Sequence, residues 1–207
     1  MLKKVLIVLA ALALVFIVVV MLQPSTTHVE RAVVTQAPVA VVFKNINSLE
    51  RFILWSPWQE MDPNQKVTFS GSKEGVGAKY EWVGNDQVGR GHMEIIESMP
   101  NEGIRENLEF VEPFASKAVV SIQLTPEAGA TRIIWGFDTE NGFMSKLFGM
   151  FVDMDEMLGK DFEKGLNSLV ALSEKDAAGA AAAAPAAAEA GTAEAGTADA
   201  GTAPAIP

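Results

Sequence analysis

The sequence predicts an α+β domain in which a curved antiparallel sheet of seven strands wraps one long C-terminal helix, in the order β-αα-β6-α, preceded by a transmembrane helix. Three observations predict it. Six successive segments between Val67 and Phe137 alternate apolar and polar residues, as strands do when one face is buried and the other wet. Leu158, Phe162, Leu166 and Leu169 form a stripe at helical spacing. Val5 to Leu22 is an unbroken apolar run.

That run spans about 27 Å as a helix, close to the roughly 30 Å hydrocarbon core of a bilayer. Lys3 and Lys4 precede it, and Gln23 to Thr27 on its other side carry no charge. Basic residues stay preferentially on the cytoplasmic side. The expectation is a single pass through the inner (cytoplasmic) membrane, with residues 1–4 inside, a helix at 5–22, a linker at 23–27 and an extracytoplasmic domain at 28–175. The rival is a cleaved secretory signal, whose apolar region is usually shorter and ends in small residues. This run ends Val20-Met-Leu-Gln-Pro24, and its one Ala-x-Ala, Ala11 to Ala13, lies inside it.

Val29 to Val34 is apolar and β-branched enough for a first strand. Pro38 suits the start of a helix, and Val39, Val42, Phe43 and Ile46 lie on one helical face. Ser48 is placed to cap a second short helix carrying Leu49, Phe52 and Ile53, which Trp55-Ser-Pro-Trp58 ends. The strands follow: Val67 and Phe69; Tyr80 and Trp82; Met93 and Ile95; Ile104, Leu108 and Phe110; Ala118, Val120, Ile122 and Leu124; Ile133, Trp135 and Phe137. Met144, Leu147, Phe148 and Phe151 suggest a lead-in turn. Asp153 and Glu156 have capping-box spacing for the last helix. Gly159 and Gly165 each cost that helix roughly 1 kcal/mol relative to alanine, which suggests close backbone approach or empty space. From 176 to 207 the chain becomes alanine-rich, with EAGTA, EAGTA and DAGTA repeats. It has little to bury and reads as a flexible acidic tail, with a short helix near Ala180–Ala184 allowed.

Composition excludes several functions. There is no cysteine, hence no disulfide framework, thiolate metal site or cysteine nucleophile. Two histidines, His28 and His92, are too few for a multi-histidine metal centre. The net charge is −10, and residues 28–175 hold 14 basic and 22 acidic residues with no basic stripe. Nucleic acid is therefore excluded as a partner. No nucleophile elbow, P-loop or dinucleotide fingerprint occurs. Gly75-Val-Gly-Ala-Lys79 lacks a third glycine and reads as a loop over a cavity mouth. Asp153, Asp155, Glu156, Asp161 and Glu163 cluster at a helix start, where the dipole already favours acids. No metal or cofactor is assigned.

The element order, with Trp55-Ser-Pro-Trp58, Gly75-Val-Gly-Ala-Lys-Tyr-Glu-Trp82, Gly89-Arg-Gly-His-Met93, the strand end from Phe110 to Pro113 and the Gly159-to-Leu169 helix, resembles the SRPBCC, or START-like, superfamily. The branch it is most similar to is the bacterial polyketide cyclase/dehydrase and lipid transport group. The resemblance runs from about Val29 to Leu172 and implies the helix-grip fold, with a cavity between sheet and C-terminal helix. It implies an apolar ligand such as a lipid, isoprenoid or polyketide. The residues expected to line that cavity are Trp55, Trp58, Phe69, Tyr80, Trp82, Met93, Ile95, Leu108, Phe110, Ile122, Trp135, Phe137, Phe151, Leu158 and Phe162.

Glu106 shares a strand face with Ile104, Leu108 and Phe110. Buried there, it would have a raised pKa and serve as ligand anchor or proton donor; near a strand end it would simply reach water. His92 is expected outward, beside Glu94. The function expected is a membrane-anchored module binding an apolar small molecule, in contact with the bilayer through residues 5–22. The alternatives are a cyclase- or hydrolase-type enzyme using a buried carboxylate, and a filled-core protein-interaction module. Protein partners are not specified by the sequence.

Overall fold

The computed structural model describes residues 1–113 and 115–193. Helix α1 (Leu2–Met21) is long and apolar enough to cross a membrane, with a mean hydropathy of 3.1. Only Val20 in it is buried. Four residues later, β1 (Thr26–Thr35) opens the domain. Three short helices follow: α2 (Val39–Ile46), α3 (Leu49–Phe52) and α4 (Pro57–Met61). Then come β2 (Lys66–Gly71), β3 (Ala78–Val83), β4 (Arg90–Met99), β5 (Gly103–Glu112), β6 (Ser116–Glu127) and β7 (Ala130–Glu140). The chain closes with α5 (Phe143–Gly149) and α6 (Met154–Ala193).

The sheet order is β1-β7-β6-β5-β4-β3-β2, antiparallel throughout, with β5 at its centre. β2 to β7 form the expected meander, and β1 pairs with the far end of it. Period-two patterning survives where the sheet is covered: Ala78, Tyr80 and Trp82 are buried while Lys79, Glu81 and Val83 are exposed. α6 lies along β1 and β7 and also meets α2 and α4. Its Phe162, Leu166 and Leu169 enter a core that contains Val29, Ile95, Ile104 and Ile133.

Three local features depart from expectation. Trp55-Ser-Pro-Trp58 does not end the helical region; Pro57 starts α4, at a position where its missing N–H costs nothing. Ser48 occupies the N-cap of α3 but makes no side-chain cap bond. The boundary expected at 175 falls inside α6, which continues to Ala193. Arg51 Nη2 pairs with Asp176, and Ala177 packs on the core, so the tertiary structure carries the helix past that point. Alanine's high helix propensity then favours its continuation. The part of the expected tail from 194 to 207 lies outside the described residues.

Candidate ligand-binding site

The centre of the concave face is an acid. On β5, Glu106 faces Ile95 of β4 and Val120 of β6, with Ile104 and Leu108 on the same face. It is 4% exposed, and no side-chain hydrogen bond or ion pair reaches it among the described residues. Burial among apolar groups disfavours the charged carboxylate and pushes its pKa from 4.5 up to about 8. Glu106 is therefore mostly protonated at neutral pH. A second polar group on this face is also unpartnered: the buried indole N–H of Trp135 on β7 has no acceptor among the described residues. Burial likewise raises Tyr80, on β3, to about 12.

Aromatic rings surround these groups. Trp135 stacks on Phe162 at 4.1 Å, and Trp55 and Trp58 meet Trp135 edge-on. Phe52 links that set to Tyr80, which stacks on Trp82, and Trp82 meets Phe110 edge-on. Two glycines make the fit possible. A Cβ at Gly165 would lie 2.7 Å from the Trp135 ring, and one at Gly91 would lie 2.6 Å from Trp82. A Cβ at Gly159 would overlap the Arg31 guanidinium. Gly159 and Gly165 thus serve close approach rather than empty space.

Arg31 was not legible as a site residue. It lies beside Trp135 in the β1–β7 pairing and grips Asp155 with a two-pronged contact of 2.9 and 3.0 Å, while its Nε donates to Glu163 at 3.1 Å. The signal was Asp155, Gly159 and Glu163 along one i, i+4 ridge of the helix, a notch with an acid at each end.

The register gives the face a direction. Glu140 pairs with Thr26, Ala118 with Thr139, Phe110 with Ser116, and Arg90 with Glu112. One end of the sheet therefore carries the start of β1 just after α1, the approach to α5, and the β5 residues Leu108 and Phe110. Those two are only partly buried.

Residues 26–174 match the sequence model of a family described as polyketide cyclase / dehydrase and lipid transport. The chain belongs to that family. No curated protein matches it in sequence. Solved structures share its fold at low identity. A protein from Chromobacterium violaceum is 18% identical at a TM-score of 0.52, covering 73% of this chain and 98% of its own. One from Nitrosospira multiformis is 21% identical at 0.51, covering 70% and 94%. One from Helicobacter pylori is 11% identical at 0.52, covering 71% and 88%. They establish the helix-grip fold for this member of the polyketide cyclase / dehydrase and lipid transport family.

Within that fold, Trp55, Tyr80, Trp82, Met93, Ile95, Ile122, Trp135, Phe137 and Phe162 are buried, and Trp58, Leu108, Phe110 and Leu158 are partly buried. Two expected lining residues are elsewhere. Phe151 is 76% exposed, because it precedes α6 and points off the domain; Phe69, on edge strand β2, is 38% exposed. Between α6 and the sheet, Phe162 stacks on Trp135 and both meet Trp58 edge-on. Two surface clefts, of about 380 and 160 Å³, lie at the β6–β7 turn and beside β2, and of the expected lining residues only Phe69 borders either. The Gly75–Lys79 loop docks on the α2–α3 junction, through Gly75 N–H to the Asn47 carbonyl at 2.9 Å. His92 faces outward, with Glu109 rather than Glu94 as its ionic neighbour, at 3.7 Å. Asp153 Oδ1 caps α6, accepting the N–H groups of Asp155 and Glu156.

Proposed function

We propose that this protein is a membrane-tethered binding module for a lipid-like molecule that carries one hydrogen-bond acceptor, such as a carbonyl. The observation that carries the reading is Glu106: a carboxyl without a partner at the centre of an apolar, aromatic face. An unpartnered buried polar group such as the neighbouring Trp135 N–H costs roughly 1–3 kcal/mol, and a ligand acceptor would offset that cost. Protonated Glu106 and the Trp135 N–H are both donors, so they suit an acceptor rather than a cation. From the partly buried Phe110 to Glu106 is four residues of strand, about 13 Å. An acyl or isoprenoid chain of that reach would part the aromatic side chains and bury its surface at about 25 cal/mol per Å². Phe110 lies at the sheet end that carries the start of β1, just after α1, which suits a ligand taken from the bilayer that α1 spans with its N-terminus inside.

Native mass spectrometry of the full chain, released gently from bacterial membranes and followed by organic extraction, tests this. A co-purifying lipid-sized mass is expected. Glu106→Leu should lose it, whereas Glu106→Gln, which keeps a donor, should hold it. An unliganded mass that takes up neither fluorescent fatty acids nor isoprenoids would sink the proposal and favour a filled-core interaction module. A second reading rests on the same carboxyl: a proton donor at neutral pH suits a cyclase or hydrolase. In that case Glu106→Gln would retain the ligand yet accumulate it unconverted.

A further inference from the structure

The nine residues Phe143 to Phe151 present an apolar surface that no described part of the protein covers. Phe143, Met144 and Phe148 are about half exposed, and Phe151 is 76% exposed. This surface is not scattered over the domain. α5 packs against α1, and Val20, in the last turn of α1, is fully buried there. Lys146 Nζ donates to the Met21 carbonyl at 3.2 Å, so a cation sits on the negative end of the α1 dipole. The apolar surface therefore lies level with the point where α1 would leave the bilayer, and it continues the apolar surface of that helix.

We infer that α5 and Phe151 rest in the membrane interface beside α1, with Phe143, Met144, Phe148 and Phe151 inserted among the lipids and Lys146 marking the boundary. The occupant of this surface is the lipid bilayer. Residues 28–175 carry 22 acidic against 14 basic residues, so insertion is apolar and needs no anionic lipid. The inference rests on the reading of α1 as a membrane span. Elements of this kind bury their apolar face about 5–10 Å into the headgroup–acyl boundary.

The chain has no cysteine, so single cysteines report without background. Phe148→Cys, Phe151→Cys, Leu12→Cys within α1 and Ala128→Cys at the β6–β7 turn, at the opposite end of the sheet, are each labelled with an environment-sensitive fluorophore. The full-length chains are reconstituted in phosphatidylcholine vesicles and exposed to a lipid-borne nitroxide or to aqueous iodide. The expected result is lipid quenching with a blue-shifted emission at 148 and 151, at a depth shallower than at 12, and iodide quenching at 128. Lipid quenching at 12 with iodide quenching at 148 and 151 would overturn the inference and leave the membrane span intact. Protection of 148 and 151 from both quenchers would overturn it in favour of a protein partner or a second copy. Iodide quenching at 12 would remove the span itself, and the inference with it.

Discussion

Glu106 makes the stability of this protein depend on pH in a direction opposite to that of most carboxylates. Its pKa is about 8 in the folded chain against 4.5 in the unfolded one. Between those values the folded state holds the extra proton, so stability falls as pH rises from about 4.5 to about 8 and levels off above. At about 1.4 kcal/mol per pKa unit, the loss is on the order of 5 kcal/mol. The difference between wild type and Glu106→Gln should carry this dependence, with the variant gaining on wild type up to about pH 8. Urea unfolding of the full chain in detergent, across pH 5 to 9, measures it; parallel curves for the two proteins would mean that the carboxyl is solvated. Glycines divide just as sharply. Gly165→Ala should cost about 1–3 kcal/mol through overlap with Trp135, despite alanine's better helix propensity. Gly179→Ala, on the same helix with open space around it, should gain up to about 1 kcal/mol. Thermal unfolding of both variants checks the opposite signs.

At the scale of elements, most of the sheet was legible because its alternation is set by one-sided burial. Residues such as Tyr80 and Trp82 identify strand and face together. The last helix was legible from its stripe and from the Asp153 cap. What escaped the sequence was pairing across distance. Arg31 occupies a face position between Val29 and Val33, where an apolar residue would be expected, and the helix notch that receives it lies more than a hundred residues away. The extension of α6 past 175 is of the same kind. Ser173 accepts from the fully buried Asn45 at 3.0 Å, Glu174 accepts from Thr35 at 2.9 Å, and Asp176 pairs with Arg51. None of these partnerships leaves a local pattern. They predict that a chain ending at residue 183 unfolds near the wild-type temperature. A chain ending at 172 should lose several kcal/mol, since each buried polar group left unpaired costs roughly 1–3 kcal/mol. Equal melting temperatures for the two truncations would show that these contacts contribute nothing. The candidate site was legible only in part. Glu106 stood out by strand parity, but whether its interior was open or filled depends on ring packing that composition does not encode.

For the whole molecule, the long apolar helix, the sheet end with the partly buried Leu108 and Phe110, and the exposed aromatic surface all lie on one side. Opposite lie the β2–β3, β4–β5 and β6–β7 turns. The molecule thus has a polarity that neither its net charge nor its hydropathy profile records. Only the register, which pairs Glu140 with Thr26, brings the parts to the same end. The four residues between α1 and β1 give that polarity a consequence for transport. Fully extended they reach at most about 14 Å, far less than the gap between two membranes. Under the proposed reading of α1 as a membrane anchor, a domain on so short a leash does not shuttle. Whatever the proposed module lifts from its own leaflet would then be collected there by something that comes to it, which makes it a fixed loading dock in this reading and leaves any long-range carriage to another molecule.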